Sequence, residues 1–198
     1  NVSVAAGGTF GGVGTVGSSI SVNGGTLAPG SPTGTLNVSG DLSFTSASHY
    51  MVQVSGTSNG VAVVTGTATL AGATVVVVPT GSIAKHYTIL SAGTLPDTFN
   101  PVVVGLSPNL HATLSYGLNN VDLDLALGYG GGLNINQQNV ANMLTNYFNS
   151  GGSLPVALAN LSPAGLTQAS GESGTGSQQT TFNAMNLFIS LLTDVFGT

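Results

Sequence analysis

Two glycine motifs and a few titratable side chains are the places where this sequence could do chemistry. Gly12-Val13-Gly14-Thr15-Val16-Gly17 matches the G-x-G-x-x-G of dinucleotide-binding turns. That motif cradles a pyrophosphate only between a strand and a helix, with an acid about 20 residues further on. Here Ser18-Ser19-Ile20-Ser21-Val22 follows with the alternation of a strand, and a glycine-rich chain produces such matches by chance. Gly56-Thr57-Ser58-Asn59-Gly60 matches the G-x-S-x-G nucleophile elbow, and Asp97 and His111 follow in the order a hydrolase triad would need. The elbow must join a strand to a helix. No helical period follows Ser58, so a plain turn between two strands is expected. Asp122 and Asp124 lie two apart and project from one face of a strand. Such a pair can bind Ca²⁺ or exchange protons. Val121, Leu123, Leu125 and Leu127 fill the other face, so a solvated outer face is expected for the two acids. His49, His86 and His111 share no metal-ligand spacing and read as surface or packing residues. No catalytic residue, cofactor or metal ligand is assigned, and the chain is read as a non-enzyme.

Composition narrows the class. Only 4% of the 198 residues are charged, against about 25% in an ordinary soluble domain. Hydrophobic residues make up 41%, so a core can be buried, and hydroxyls and amides must cover the surface. One Lys and no Arg leave almost nothing to neutralise phosphates, which argues against nucleic acid as a partner. A net charge of −5 points to no specific partner, and without cysteine there is neither a disulfide nor a thiolate metal site. No apolar run reaches the roughly 18 residues of a membrane-spanning helix. The chain starts in mid-pattern at Asn1 and is read as a fragment of something longer.

The elements that would position any of these side chains are mostly strands. Val2 and Val4, then Ile20 and Val22, alternate with polar residues. Gly24 to Leu42 is a stiff Pro/Gly-rich corner leading into the alternation Leu36, Val38. Val38-Ser39-Gly40-Asp41-Leu42 is echoed by Val64-Thr65-Gly66-Thr67-Ala68, with an imperfect third copy at Val22-Asn23-Gly24. The intervals are uneven but average about 20 residues, the length of a solenoid coil; an antiparallel sandwich would give similar short strands with turns. Ala73 to Val78, with four consecutive valines, suggests a strand buried on both faces. His111–Tyr116 is expected to pair with Val121–Leu127 as a hairpin. Four glycines within 128–132 make a hinge, and the strand period stops there. Val140, Met143, Leu144, Tyr147 and Phe148 mark one face of a helix that Asn134 or Asn136 can cap. A second short helix is expected over Leu154–Leu161 and a third turn from Pro163 through Leu166. Phe182, Met185, Ile189, Leu192 and Phe196 form a heptad-like stripe on a last helix over about 178–196.

Gly24-Gly25-Thr26-Leu27-Ala28-Pro29-Gly30-Ser31-Pro32-Thr33-Gly34-Thr35-Leu36-Asn37-Val38-Ser39-Gly40-Asp41-Leu42 resembles the passenger-associated repeat of bacterial autotransporters, the type V self-secreting outer-membrane proteins. Two later stretches also resemble that family. One is the order Gly66-Thr67-Ala68-Thr69-Leu70-Ala71-Gly72-Ala73-Thr74-Val75, then Tyr87-Thr88-Ile89-Leu90, then a closing hairpin. The other runs through Asn136 to Leu144, Leu158 to Pro163, and Ser170-Gly171-Glu172. The resemblance implies a mainly β fold: right-handed parallel β-helix coils with a C-terminal β cap, followed by an α-helical segment. It divides the chain into last β-helix coils over 1–60, an autochaperone-like cap over 61–127, a glycine hinge over 128–133, and a helical linker over 134–198. It implies a capping and folding-nucleating role at the bacterial outer membrane or cell surface, the passenger either staying there or being released. The implied partner is the protein's own outer-membrane β-barrel, with self-association or binding to a host surface as the alternative. The packing residues expected to carry the cap are Leu70, Val75, Val77, Tyr87, Ile89, Leu90, Leu123 and Leu125, and the stripe from Phe182 to Phe196 is expected to face the linker's partner surface.

Overall fold

A computed structural model of the chain describes residues 1–171 and, beyond them, Phe182, Met185 and Asn186, all three helical. The chain divides into two compact units, one formed by 1–129 with 144–160 and the other by 130–143 with residues from 161 onward.

The first unit is a β-solenoid of about three turns. The chain passes in order through three parallel sheets. The first passage is β1 (Val2–Ala5), β2 (Thr9–Gly12) and β3 (Gly14–Val16), and the second is β4 (Ile20–Asn23), β5 (Thr26–Pro29) and β6 (Gly34–Val38). The third is β7 (Leu42–Phe44), β8 (His49–Gly56) and the first half of β9 (Ser58–Thr69). The second half of β9 then returns to the first sheet, and β10 (Thr74–Ile83) and β11 (His86–Thr94) complete the stack. Sheet A therefore holds β1, β4, β7 and the end of β9. Sheet B holds β2, β5, β8 and β10, and sheet C holds β3, β6, the start of β9, and β11. β9 runs without a break through residues 60 and 61.

The register explains the alternation in the sequence. Val4 stacks on Val22 and Phe44, Leu27 on Tyr50 and Val75, and Leu36 on Ala62 and Leu90, with the inward members buried. Each rung buries its apolar face only because a rung lies above and below it. The echo at Val38 and Val64 is a structural repeat, since these residues pair directly, as do Leu42 and Ala68. The structure corrects the third copy. Val16 and Ile20 occupy those positions, whereas Val22 pairs with Phe44. On the outer face of sheet A, Ser3, Ser21, Ser43 and Thr69 follow one another in register, and Ser43 Oγ donates to Ser21 Oγ at 3.2 Å.

Polar groups at the corners close the backbone accounts. Ser48 is fully buried; its hydroxyl donates to the Val22 carbonyl at 2.7 Å and accepts from the Gly24 N–H at 3.0 Å. Asp41 Oδ1 accepts from the Thr67 N–H of the next rung at 2.8 Å. The buried Ser48 hydroxyl spares the Gly24 N–H the cost of an unpaired donor.

A second correction concerns β10. Val75 and Val77 are buried, but Val76 and Val78 are only half-buried, so the strand has one inner face and not two. A solenoid rung has one interior, and a run of valines tells nothing about which face that is. A third correction concerns Leu154. Leu154–Pro155 forms a short strand, β14, that pairs antiparallel with Ser82 and Ile83 of β10, and only Val156–Ala159 is helical.

Helix α1 spans Ile135–Asn149. Asn134 Oδ1 accepts from the Gln137 N–H at 2.9 Å and Gln137 Oε1 accepts from the Asn134 N–H at 2.8 Å, a reciprocal capping box. The four-residue helix Val156–Ala159 is α2, and α3 is Pro163–Ala169, capped by Ser162, whose hydroxyl accepts from the Gly165 N–H at 3.2 Å. In the second unit, Gln137 Nε2 donates to the Pro163 carbonyl and to Thr167 Oγ1, which holds the start of α1 to α3. No helix among the described residues is long and apolar enough to cross a membrane.

Candidate functional site, the C-terminal closure of the solenoid

An open solenoid end exposes an unpaired strand edge and an apolar interior. On sheet C that edge is covered. β11 pairs in parallel with β9, and its other side pairs antiparallel with β13 (Asn120–Leu127), which pairs antiparallel with β12 (Leu110–Tyr116). The expected hairpin is present, closed by the Gly117 N–H donating to the Asn120 carbonyl at 2.9 Å. Val121, Leu123, Leu125 and Leu127 all point inward and are buried.

All eight residues expected to pack the cap are buried, none more than 2% exposed. Leu70 sits just after β9, Val75 and Val77 on β10, Tyr87, Ile89 and Leu90 on β11, and Leu123 and Leu125 on β13. Ile89 and Leu90 are adjacent, so strict alternation would send one of them outward. A bulge between Thr88 and Leu90 leaves Ile89 as the extra residue and sets Leu90 against Val121, and both side chains are buried. Among the linker-stripe residues, Phe182 and Met185 are exposed, at 56% and 53%. Ile189, Leu192 and Phe196 lie outside the described residues.

Sequence reasoning missed the residue that joins the sheets. Tyr50, on β8 of sheet B, is fully buried, and its hydroxyl crosses the interior to sheet C. There it donates to the Ile89 carbonyl at the bulge and accepts from the Ala62 N–H. Burial pushes this hydroxyl well above the ordinary tyrosine range, so it stays a neutral donor. Its ring stacks on Phe99 at 5.3 Å between centroids, and Phe44 meets both rings edge-on at 5.9 and 5.8 Å. The one available signal was an aromatic at an inward position of the alternation His49-Tyr50-Met51-Val52. Tyr87 does similar work at a corner, donating to the Gly56 carbonyl at 2.7 Å and accepting from the Ala84 N–H at 2.6 Å.

The residues of the motif chemistry go elsewhere. Ser58 lies in the tight turn where β8 folds back on β9, paired with Ser55. Asp97 clamps a turn. Its two carboxylate oxygens accept from the Leu70 and Ala71 N–H groups at 2.7 and 2.8 Å, and Ala71 has φ +46°. His111 borders a cleft of about 310 Å³ between the segment 101–106 and the start of β12. No hydrogen bond among the described residues links Ser58, Asp97 and His111. Gly14–Val16 and Ile20–Asn23 are both strands, so no helix follows Gly17 to receive a pyrophosphate.

Asp122 and Asp124 do face outward, as expected, but not alone. His86 Nδ1 lies 2.8 Å from Asp124 Oδ1, and its Nε2 lies 3.8 Å from Asp122 Oδ1. Ser115 Oγ donates to Asp124 Oδ2 at 3.0 Å, and Thr88 Oγ1 donates to Asp122 Oδ1 at 2.6 Å. The hydrogen bond to Asp124 raises the His86 pKa, and the same bond lowers that of Asp124. Spacing along the chain could not show this, because residues 86 and 124 meet only through the β11–β13 register. Among the described residues no group of three or more His, Cys, Asp or Glu is placed to hold a metal ion.

The C-terminal flank is tied down within the first unit. Asn149 uses both ends of its amide on Leu127, accepting from its N–H at 3.1 Å and donating to its carbonyl at 3.0 Å. Lys85 Nζ donates to the Asn149 carbonyl at 2.8 Å. Tyr129 donates to the Leu158 carbonyl at 2.6 Å, and burial pushes its pKa up to about 12. Asn109 Nδ2 donates to the Ala159 carbonyl at 3.0 Å. No protein family matches the chain, and no curated protein matches it. By its fold the protein is a β-solenoid whose third sheet is terminated by an antiparallel hairpin.

Proposed function

We propose that this chain is a structural module of an exported passenger of the autotransporter kind, in which the closure at residues 86–127 folds first at the cell surface and terminates the solenoid. The observation that carries the reading is the switch from parallel to antiparallel pairing at β11–β13, with the β13 apolar face fully buried beneath it. An antiparallel hairpin is a local structure and closes with little loop entropy, whereas each parallel rung requires a long crossover. It is therefore suited to be a nucleus on which preceding rungs stack. Folding of that end outside the cell would hinder return through an outer-membrane pore, and the partner on this reading is a β-barrel of the same polypeptide. The resemblance of 24–42 to the passenger-associated repeat supports the reading from a separate part of the chain.

The second reading is an adhesin segment that binds other cells or a host surface. The in-register hydroxyl row Ser3–Ser21–Ser43–Thr69 on the outside of sheet A favours it. One experiment separates the two. Surface display and cell aggregation are measured for the full-length protein carrying Leu123→Ala with Leu125→Ala, and separately with Ser21→Ala and Ser43→Ala. Loss of display with the leucine pair supports the folding role. Loss of aggregation at normal display with the serine pair supports adhesion. Normal display with a demonstrably unfolded closure overturns the first reading.

A further inference from the structure

We propose that the joint between the last parallel rung and the closing hairpin is an acid-tightened latch, in which protonated His86 on β11 holds the carboxylates of Asp124 and Asp122 on β13. The register places His86 directly opposite Asp124, and Asp122 is the next outward residue on the same strand. Ring nitrogens lie 2.8 Å from Asp124 Oδ1 and 3.8 Å from Asp122 Oδ1, so one cation serves two acids. The acids are held in place from the other strands. Ser115 on β12 bonds Asp124, and Thr88 on β11 and Asn120 on β13 bond Asp122. All of these partners are uncharged. The neighbouring cation is Lys85, next in the chain, whose Nζ is engaged with the Asn149 carbonyl. Titration of His86 therefore decides whether two carboxylates on β13 face a positive charge from β11 or a neutral ring.

The direction follows from the linkage. The His86 pKa lies above its ordinary 6.5 in the folded protein. Its contribution is fully present below that unfolded value and is lost as pH rises through the folded one. The Asp124 pKa is lowered from 3.8, so its contribution is lost as pH falls below that value. The latch is therefore tightest between the two and loosens toward neutral and alkaline pH. The His86 side chain is 58% exposed, so the effect is that of a solvent-screened pair.

The test is amide hydrogen exchange on the full chain, corrected for intrinsic rates, at about pH 5.5 and about pH 8, on either side of an ordinary histidine pKa. The reporter is the Leu125 amide, which donates across the joint to the Lys85 carbonyl at 2.7 Å. Its protection factor is expected to be about two- to fivefold higher at the acid value, the range that exposed ion pairs support. His86→Gln and Asp124→Asn, both surface changes, are each expected to bring the ratio to about one, and Asp122→Asn to reduce it only partly. A His86 proton NMR titration gives a second readout, with the midpoint moving down in Asp124→Asn. A wild-type ratio of one, or an unchanged ratio in His86→Gln, overturns the proposal.

Discussion

At the C-terminal end of the solenoid, sheets B and C meet the same physical demand and answer it differently. Sheet C is closed by two antiparallel strands: β13 buries every alternate residue from Val121 to Leu127, and β12 outside it buries Leu110. Sheet B is extended only by the two-residue strand β14 at the end of β10 and by an irregular segment, in which Val104 alone bridges to Val76. That segment is tied by the Val77 N–H donating to the Val104 carbonyl at 2.8 Å and the Val104 N–H donating to the Val75 carbonyl at 3.0 Å. Two of its three valines remain outside, Val102 at 63% and Val104 at 40% exposed, and Val103 is half-buried. The contrast traces to patterning. Val121-Asp122-Leu123-Asp124-Leu125 alternates, so each side of the strand has a defined solvent. Pro101-Val102-Val103-Val104-Gly105 does not alternate; Pro101 lacks a backbone donor, and Gly105 turns the chain at φ +92°. Alternation thus yields closure in one sheet, and a run of valines without alternation yields only a single bridge in the other.

Four substitutions test that contrast, in descending order of effect. Leu123→Ala truncates a fully buried residue of the sheet C closure and is expected to cost about 2–5 kcal/mol in a urea unfolding titration. A loss near zero would mean that β13 lies on the surface of the core and does not belong to it. Tyr50→Phe keeps the aromatic stack but strands the Ala62 N–H and the Ile89 carbonyl, a cost of about 1–3 kcal/mol. Faster exchange of the Ala62 amide would locate the damage, and unchanged stability would show that the hydroxyl bridge does not hold sheets B and C together. Gly105→Ala puts a Cβ within 2.3 Å of the Val77 carbonyl oxygen at a left-handed φ, so the bridge from Val104 should loosen. The strain is about 1–3 kcal/mol, of which the fraying end absorbs part. The expected signature is exchange at the Val77 amide with little change at Leu123. Val104→Ala, already 40% exposed, should stay within about 0.5 kcal/mol of the parent. A cost as large as that of Leu123→Ala would erase the distinction between the two sheets.

Much of the fold was legible in the residues themselves. Alternation at Ile20, Val22, Leu36 and Val38 gave strands with one inner face, and the Val38/Val64 echo gave the stacking before any register was known. The hairpin 110–127 and the capped helix at Asn134 followed from turn and cap chemistry that acts over a few residues. What failed was of another kind. The valine run of β10 named no inside, and Leu154 beside Pro155 looked like the start of a helix until the edge of β10 supplied a pairing partner.

The sequence alone determined which residues avoid water and how often, because side-chain direction along a strand has a period of two wherever the strand is placed. It determined equally that so sparsely charged a chain must cover itself with hydroxyls and amides. The tertiary structure alone decided which distant residues meet: the Tyr50 hydroxyl at the Ile89 bulge, the Asp97 carboxylate on the Leu70–Ala71 turn, and His86 against Asp122 and Asp124. Those contacts depend on the length of each loop and the position of a single bulged residue. One residue of slip moves every side chain of a strand to the opposite face.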